Sequence, residues 1–314
     1  PEAVLLRAVK PDQEPHQPLF KLFGGRDELQ VARLHRFVSS ADRRRQFIPG
    51  PVQERVGLQL PEVGGQFSRL QFSRVDHRGA ISTEDSAPAV MAGHSLGEYS
   101  ALVCAGAIEF SAAVRLVADR GRFMQQAVAQ GAGGMAAVLG LEDDKVRELC
   151  SLAARTEVVE AVNYNSPGQV VIAGTKAAVD RACELAKEAG AKRVLPLPVS
   201  VPSHCALMKP AAERLGERLA EIEITKPTIP VLHNVNVAEA SDGMAVKQLL
   251  AQQLYSPVRW VETIQAMAGR GIDTLIEAGP GKVLTGLTKR IDRKLNGLAV
   301  YDTEGLKRAL EVVR

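Results

Sequence analysis

The pentapeptide Gly93-His94-Ser95-Leu96-Gly97 constrains this chain more than any other feature. It follows Ala89-Val90-Met91-Ala92, an apolar segment that reads as a buried strand. It precedes Leu96, Tyr99, Leu102 and Val103 at helical spacing, with Gly106 placed to stop the helix. Strand, sharp turn and helix form the context that a G-x-S-x-G nucleophile elbow requires. Glycines flank the serine because a tight turn leaves little room for side chains, and the turn lifts the hydroxyl clear of the sheet. The helix N-terminus offers unpaired amides, so the Leu96 N–H can face a developing oxyanion. Ser95 is therefore the candidate nucleophile of a reaction through an acyl-serine. An ordinary Gly-Ser turn is the plainer alternative, since five residues alone are a weak pattern.

A serine hydroxyl needs a base to take its proton. His94 adjoins Ser95, but its side chain should leave the turn in another direction. His204, in Val201-Pro202-Ser203-His204-Cys205, is the best-placed candidate, the alternative being a loop histidine with no role. His16, His35 and His77 lie in an irregular first region, and His233 lies within an expected strand, Pro230 to Val235. Arg120 carries a second signal. On a helix capped by Ser111 and running to about Gln130, a turn of about 100° per residue places Ala113, Leu116, Val117, Arg120, Phe123 and Met124 on one face. Arg115, Asp119 and Arg122 fall away from it. A guanidinium in an apolar stripe keeps its proton and needs an anion. That anion is either a structural Asp or Glu or a substrate carboxylate held by a two-pronged pair.

The rest of the chain supplies the frame. From Met135 to Val199 the pattern reads strand, helix (Asp143 to Ala154), two strands joined by Tyr164 to Gly168, helix (Lys176 to Ala189), strand. This βαββαβ order is that of a ferredoxin-like module. Larger α/β elements follow: helices from Ala245 to Leu254 and Val261 to Ala268, and a strand from Thr274 to Glu277. Cys104, Cys150, Cys183 and Cys205 are scattered, without the close pairings of metal or redox motifs. A net charge of +3 does not imply nucleic acid, and the cluster Lys289, Arg290, Arg293, Lys294 reads as a solvated helix face. No apolar run is long enough to cross a bilayer and no signal-type segment opens the chain, so a soluble, cytoplasmic protein is expected.

Several motifs, in order, resemble those of bacterial malonyl-CoA:acyl carrier protein transacylases. They are Gly93-His94-Ser95-Leu96-Gly97-Glu98-Tyr99-Ser100, Asp119-Arg120-Gly121, Val162 to Gln169, Val199 to His204, and Glu277 to Leu284. The resemblance runs from about Pro88 to about Leu295. It implies an α/β fold: an α/β-hydrolase-like large domain with a parallel sheet (1–130 and 201–314) and an inserted ferredoxin-like small domain (131–200). At matching positions it implies that Ser95 is the nucleophile, His204 the general base, and Leu96 an oxyanion amide. Arg120 would pair with the malonyl carboxylate, and Gln253 would steady the histidine through a carbonyl. Asn163 would lie at the active-site mouth, where a turn-supporting asparagine is the alternative. The implied partners are malonyl-CoA and acyl carrier protein, for fatty acid biosynthesis. The protein is expected to be a monomer needing neither metal nor other cofactor and binding neither nucleic acid nor membrane.

Residues 1 to about 87 depart from that family. Its opening strand and Gly-Gln-Gly-Ser-Gln motif, which supplies a second oxyanion amide, have no counterpart in Gly24-Gly25 or Gly64-Gly65-Gln66. A departure so abrupt implies a misread frame or faulty assignment there, which resequencing the coding DNA tests. Two rival readings are a serine hydrolase, which predicts an acidic third member beside the histidine, and a non-catalytic module that binds carrier protein.

Overall fold

The computed structural model describes residues 2–6, 87–199 and 201–312. The glycine stretches at 24–25 and 64–66, the histidines at 16, 35 and 77, and nearly all of the divergent first region lie outside the described residues.

A five-stranded sheet holds the elbow. Its strands are β1 (Glu2–Leu6), β2 (Val90–His94), β7 (Val231–Leu232), β8 (Thr274–Ala278) and β9 (Asn296–Val300), in the order β7-β2-β1-β8-β9. The expected parallel pairing holds for β2 with β7 and for β8 with β9, while β1 runs antiparallel to both neighbours. Side chains alternate across β2, as the two-residue period of a strand demands. Met91 enters one core with Tyr99, Leu102, Leu116, Met208, Leu215 and Leu250. Val90 and Ala92 enter the other with Leu232, Trp260, Ile264, Leu275 and Leu284. The first core lies against α1 (Gly97–Cys104), α2 (Phe110–Ala127), α5 (Lys209–Ala220) and α6 (Gly243–Gln253). The second lies against α7 (Trp260–Gly269) and α8 (Val283–Ile291). Each fully buried leucine contributes roughly 1.5–3 kcal/mol.

A four-stranded antiparallel sheet is built from β3 (Gly133–Leu139), β4 (Val159–Ser166), β5 (Gln169–Thr175) and β6 (Arg193–Pro196), in the order β4-β5-β3-β6. One face packs on α3 (Asp143–Ala154) and α4 (Lys176–Glu188) through Val138, Leu149, Val170, Ile172 and Val179. The opposite face, with Met135, Ala137, Val162 and Val171, packs on Cys205 and Leu207, so it braces the segment that carries His204. A final helix, α9 (Thr303–Val312), follows β9. Cys104 is exposed, Cys150, Cys183 and Cys205 are buried, and all four are free thiols.

The structure corrects several local expectations. Glu109, not Ser111, caps α2: its carboxylate accepts from Ala112 N at 2.8 Å and from the Ser111 hydroxyl. β4 continues to Ser166 because Tyr164 and Ser166 pair with Val170 and Gln169, which leaves Pro167-Gly168 as a two-residue turn, with Gly168 at φ +70°. β7 stops at Leu232 because His233 and Asn234 turn toward the elbow, and β6 ends at Pro196, short of the expected Val199, with one further contact to β3 in which Leu197 N donates to Met135 O at 2.9 Å.

Candidate active site

The turn between β2 and α1 is held by contacts that leave no room for choice. A Cβ on Gly93 would lie 1.9 Å from the carbonyl carbon of Gly97, so the strand and helix approach this closely only with glycine. Ser95 occupies the left-handed region at φ +54°, a conformation that costs a non-glycine residue on the order of 1–3 kcal/mol and persists only where its surroundings impose it. They do so from both sides. Ser95 N donates to Asn234 Oδ1 at 2.7 Å, and Ser95 O accepts from Gln253 Nε2 at 3.0 Å. His94 points away from Ser95, with its Nε2 2.8 Å from Asn165 Oδ1 and its ring edge-on to Trp260 at 5.4 Å between centroids.

His204 comes from 109 residues further along the chain and meets Ser95 at 2.8 Å, Nε2 to Oγ. Its backbone is also left-handed (φ +68°) and is pinned by His204 N donating to Leu254 O at 2.9 Å. Its Nδ1 lies 2.7 Å from the backbone carbonyl of Gln253. A carbonyl oxygen only accepts, so Nδ1 carries the hydrogen and the Nε2 lone pair faces the serine hydroxyl. Both carbonyls belong to the C-terminal end of α6, where the helix leaves carbonyls unpaired and a partial negative charge accumulates. Burial, followed by the nearby Arg120 cation, lowers the His204 pKa to about 3, so the imidazole is a neutral acceptor.

Arg120 lies on the face of α2 that periodicity picked out: the buried residues of that helix are Ala113, Leu116, Val117, Arg120, Phe123 and Met124. Among the described residues no carboxylate pairs with it. One terminal nitrogen reaches Ser95 Oγ at 3.2 Å and Gln253 Oε1 at 3.3 Å, its carbon sits 5.7 Å from the centre of the Tyr99 ring, and its Nε has no hydrogen-bond partner among the described residues. A guanidinium only 7% exposed and held by two long neutral contacts retains unused capacity for an anion beside the serine. Leu96 immediately precedes α1, and no described group accepts from its N–H. Asn163 lies inside β4 rather than in a turn, and its buried Oδ1 has no partner among the described residues. Its strand is stitched to Val258 by Val258 N donating to Val162 O at 2.8 Å and Tyr164 N donating to Val258 O at 3.0 Å.

This arrangement has close relatives. A family model described as an acyl transferase domain matches residues 70–308. The malonyl CoA-acyl carrier protein transacylase of Escherichia coli is 58% identical over 226 residues, covering 72% of this chain and 73% of the relative. The enzyme of the same name from Haemophilus influenzae is 60% identical over 215 residues, covering 68% and 69%. The chain belongs to this acyl transferase family. Among solved structures, an acyl carrier protein S-malonyltransferase from Vibrio cholerae is 61% identical, with a TM-score of 0.70 over 71% of this chain and 72% of that one. A type II PKS acyl-carrier protein in complex with its malonyl-transacylase is 54% identical, with a TM-score of 0.71 over 72% and 73%.

Other residues of this acyl transferase's site were not singled out by sequence reasoning. Glu98, His233, Asn234, Asn165 and Trp260 all touch or brace the elbow. Glu98 was within reach. It precedes Leu102 by one helical turn on α1, so the logic that isolated Arg120 in an apolar stripe applies to it. Asn234 carried no such signal, because its neighbours in sequence are not its neighbours in space. Among the described residues no cluster of His, Cys, Asp and Glu could hold a metal ion, and no helix is long and apolar enough to cross a membrane.

Proposed function

We propose that this acyl transferase moves malonyl from malonyl-CoA to the phosphopantetheine thiol of acyl carrier protein, through a malonyl ester on Ser95, for fatty acid synthesis. The observation that carries the reading is the 3.2 Å contact between Ser95 Oγ and a buried arginine with no carboxylate partner among the described residues, beside a serine bonded to a neutral histidine. An acyl group on Ser95 with a free carboxylate satisfies that arginine. Ser95 Oγ attacks the thioester carbonyl while His204 Nε2 takes the hydroxyl proton. The Leu96 N–H stabilises the oxyanion. The C–S bond then breaks, and His204 returns the proton to the departing thiol. In the second half, His204 takes the proton of the carrier thiol, whose sulfur attacks the malonyl ester. The Ser95 ester bond breaks and Ser95 recovers its proton.

The carbonyl of Gln253 takes the place of an acidic triad member: it orients the ring and, with the negative end of the α6 dipole, favours the imidazolium that forms in each transition state, while the Leu254 carbonyl holds the His204 backbone. A serine hydrolase would set a carboxylate against Nδ1, and here a backbone carbonyl occupies that position. Asn163 is proposed at the mouth of the site. The five-stranded sheet is proposed as an α/β-hydrolase-like domain (1–130 and 201–314), with a ferredoxin-like insertion at 131–200. The strand order β4-β5-β3-β6 supports that division. A cytoplasmic monomer is proposed.

Labelled malonyl-CoA tests the function. Label should appear on Ser95 and pass to holo-carrier protein faster than to water. Release to water at an unchanged rate in the presence of carrier protein would argue for the hydrolase.

A further inference from the structure

Beneath the elbow lies a carboxylate to which acyl transfer assigns no task. Glu98 sits in the first turn of α1 and is fully buried, and among the described residues no lysine or arginine pairs with it. A carboxylate withdrawn from water is unfavourable unless its lone pairs are filled. Glu98 gathers donors from separate parts of the chain. Oε1 accepts from His233 Nδ1 at 2.7 Å, and Oε2 accepts from Asn234 N and Gln253 Nε2, each at 2.9 Å. The N-terminal end of the helix adds a favourable dipole. Well-packed apolar side chains usually match buried ionic groups in stability, so packing alone does not call for a carboxylate here. Only an acceptor can draw these donors to one point.

Two of the three partners touch the reacting residues directly. Asn234 spends its side chain on the elbow, accepting from Ser95 N and donating from Nδ2 to Gly93 O at 2.7 Å. Gln253 donates to Ser95 O through the same Nε2 that Glu98 holds. Its Oε1 accepts from Arg120, and its backbone carbonyl accepts from His204. We propose that Glu98 is a positioning residue for acyl transfer: it fixes Asn234 and Gln253, and through them the strained Ser95 backbone, the His204 ring and the Arg120 fork. The assignment rests on Ser95 and His204 carrying the transfer as described above.

The test is Glu98→Gln, which keeps the shape but turns one acceptor into a donor facing donors, with Glu98→Asp as the charged, shortened companion. Single-turnover acylation of Ser95 by malonyl-CoA should slow by about 10²-fold in E98Q, the scale of a small misplacement of reacting groups, with KM within about twofold of wild type. E98D should fall between, and the His204 Nδ1–H proton resonance should move upfield and broaden in both. Acylation within twofold of wild type in a folded E98Q, or in E98D should E98Q not fold, overturns the proposal. If neither variant folds, Glu98 serves stability alone and the proposal is equally overturned. Wild-type protein run in parallel separates the two readings: no label on Ser95 there defeats the acyl-serine mechanism itself, whatever Glu98 does.

Discussion

The two sheets of this molecule use polar groups in opposite ways. The four-stranded sheet packs Val138, Val170 and Ile172 against Leu149, Cys150 and Val179 of its two helices in an aliphatic core, and the Arg181–Glu157 pair of that region is partly exposed. The five-stranded sheet and its connections bury Glu98, Arg120, His204, His233, Asn234 and Gln253 in one hydrogen-bonded network and carry, among the described residues, three left-handed non-glycine residues, Ser95, His204 and Val237, against one, Arg155, beside the four-stranded sheet. Such concentration is unfavourable for folding unless every group is matched. Among the described residues nothing matches Arg120 Nε or His233 Nε2. A region built for stability spreads small apolar gains, whereas a region built for chemistry accepts strain and unmatched capacity at the point where a substrate must be held.

The largest test of that contrast is Ser95→Ala. It should remove acyl transfer by about 10⁴-fold or more while leaving the thermal midpoint at or above that of wild type, because alanine deletes only the hydroxyl proposed as nucleophile. A residual rate near wild type would move the nucleophile elsewhere. Arg120→Ala comes next. Malonyl transfer should fall by roughly 10–100-fold, the scale of a lost charge-assisted pair, and acetyl transfer by much less; equal losses would remove carboxylate recognition. The same variant should shift the acid limb of kcat/KM to higher pH, because Arg120 helps to lower the His204 pKa.

In the other region, Ile172→Ala should lower unfolding free energy by roughly 2–5 kcal/mol through the cavity it leaves. Ser95 acylation in the remaining folded fraction should be unchanged. Coupled loss of rate would show that the two sheets are not separable in this way. The buried histidines set a pH dependence that belongs to the elbow side. The pKa of His94 is lowered to about 4 and that of His204 to about 3, both by burial first. The unfolded chain takes up these protons near pH 6.5, so stability should be flat above that value and fall as pH drops toward 4. Urea midpoints across that range measure it, and His94→Gln should flatten the slope. The smallest effect is expected at the far end of α6, where Asp242 caps the helix by accepting from Ala245 N at 2.8 Å. Asp242→Ala should cost about 1 kcal/mol with little change in rate, since Gln253 lies at the opposite terminus.

The amino-acid order by itself determined the elbow, the apolar stripe around Arg120 and the alternation of helices and strands from 133 to 196. Each rests on local periodicity and turn chemistry, which neighbouring residues encode. Its errors were also local: a cap assigned to Ser111 two residues past Glu109, and a turn drawn too long at Tyr164, where the strand continues through a register shift between Tyr164 and Ser166. The helices at 209–220 and 303–312 went unassigned, and the helix face expected at Lys289, Arg290, Arg293 and Lys294 stops at Ile291, with Arg293 and Lys294 in the turn that follows. Only tertiary structure decided that His204 Nε2 meets Ser95, that the Gln253 carbonyl at the end of α6 stands against Nδ1, and that Arg120 has no structural anion among the described residues. It alone gathers Glu98, Asn234 and Gln253 beneath the elbow, because hydrogen bonds between residues more than a hundred positions apart leave no period in the chain that makes them.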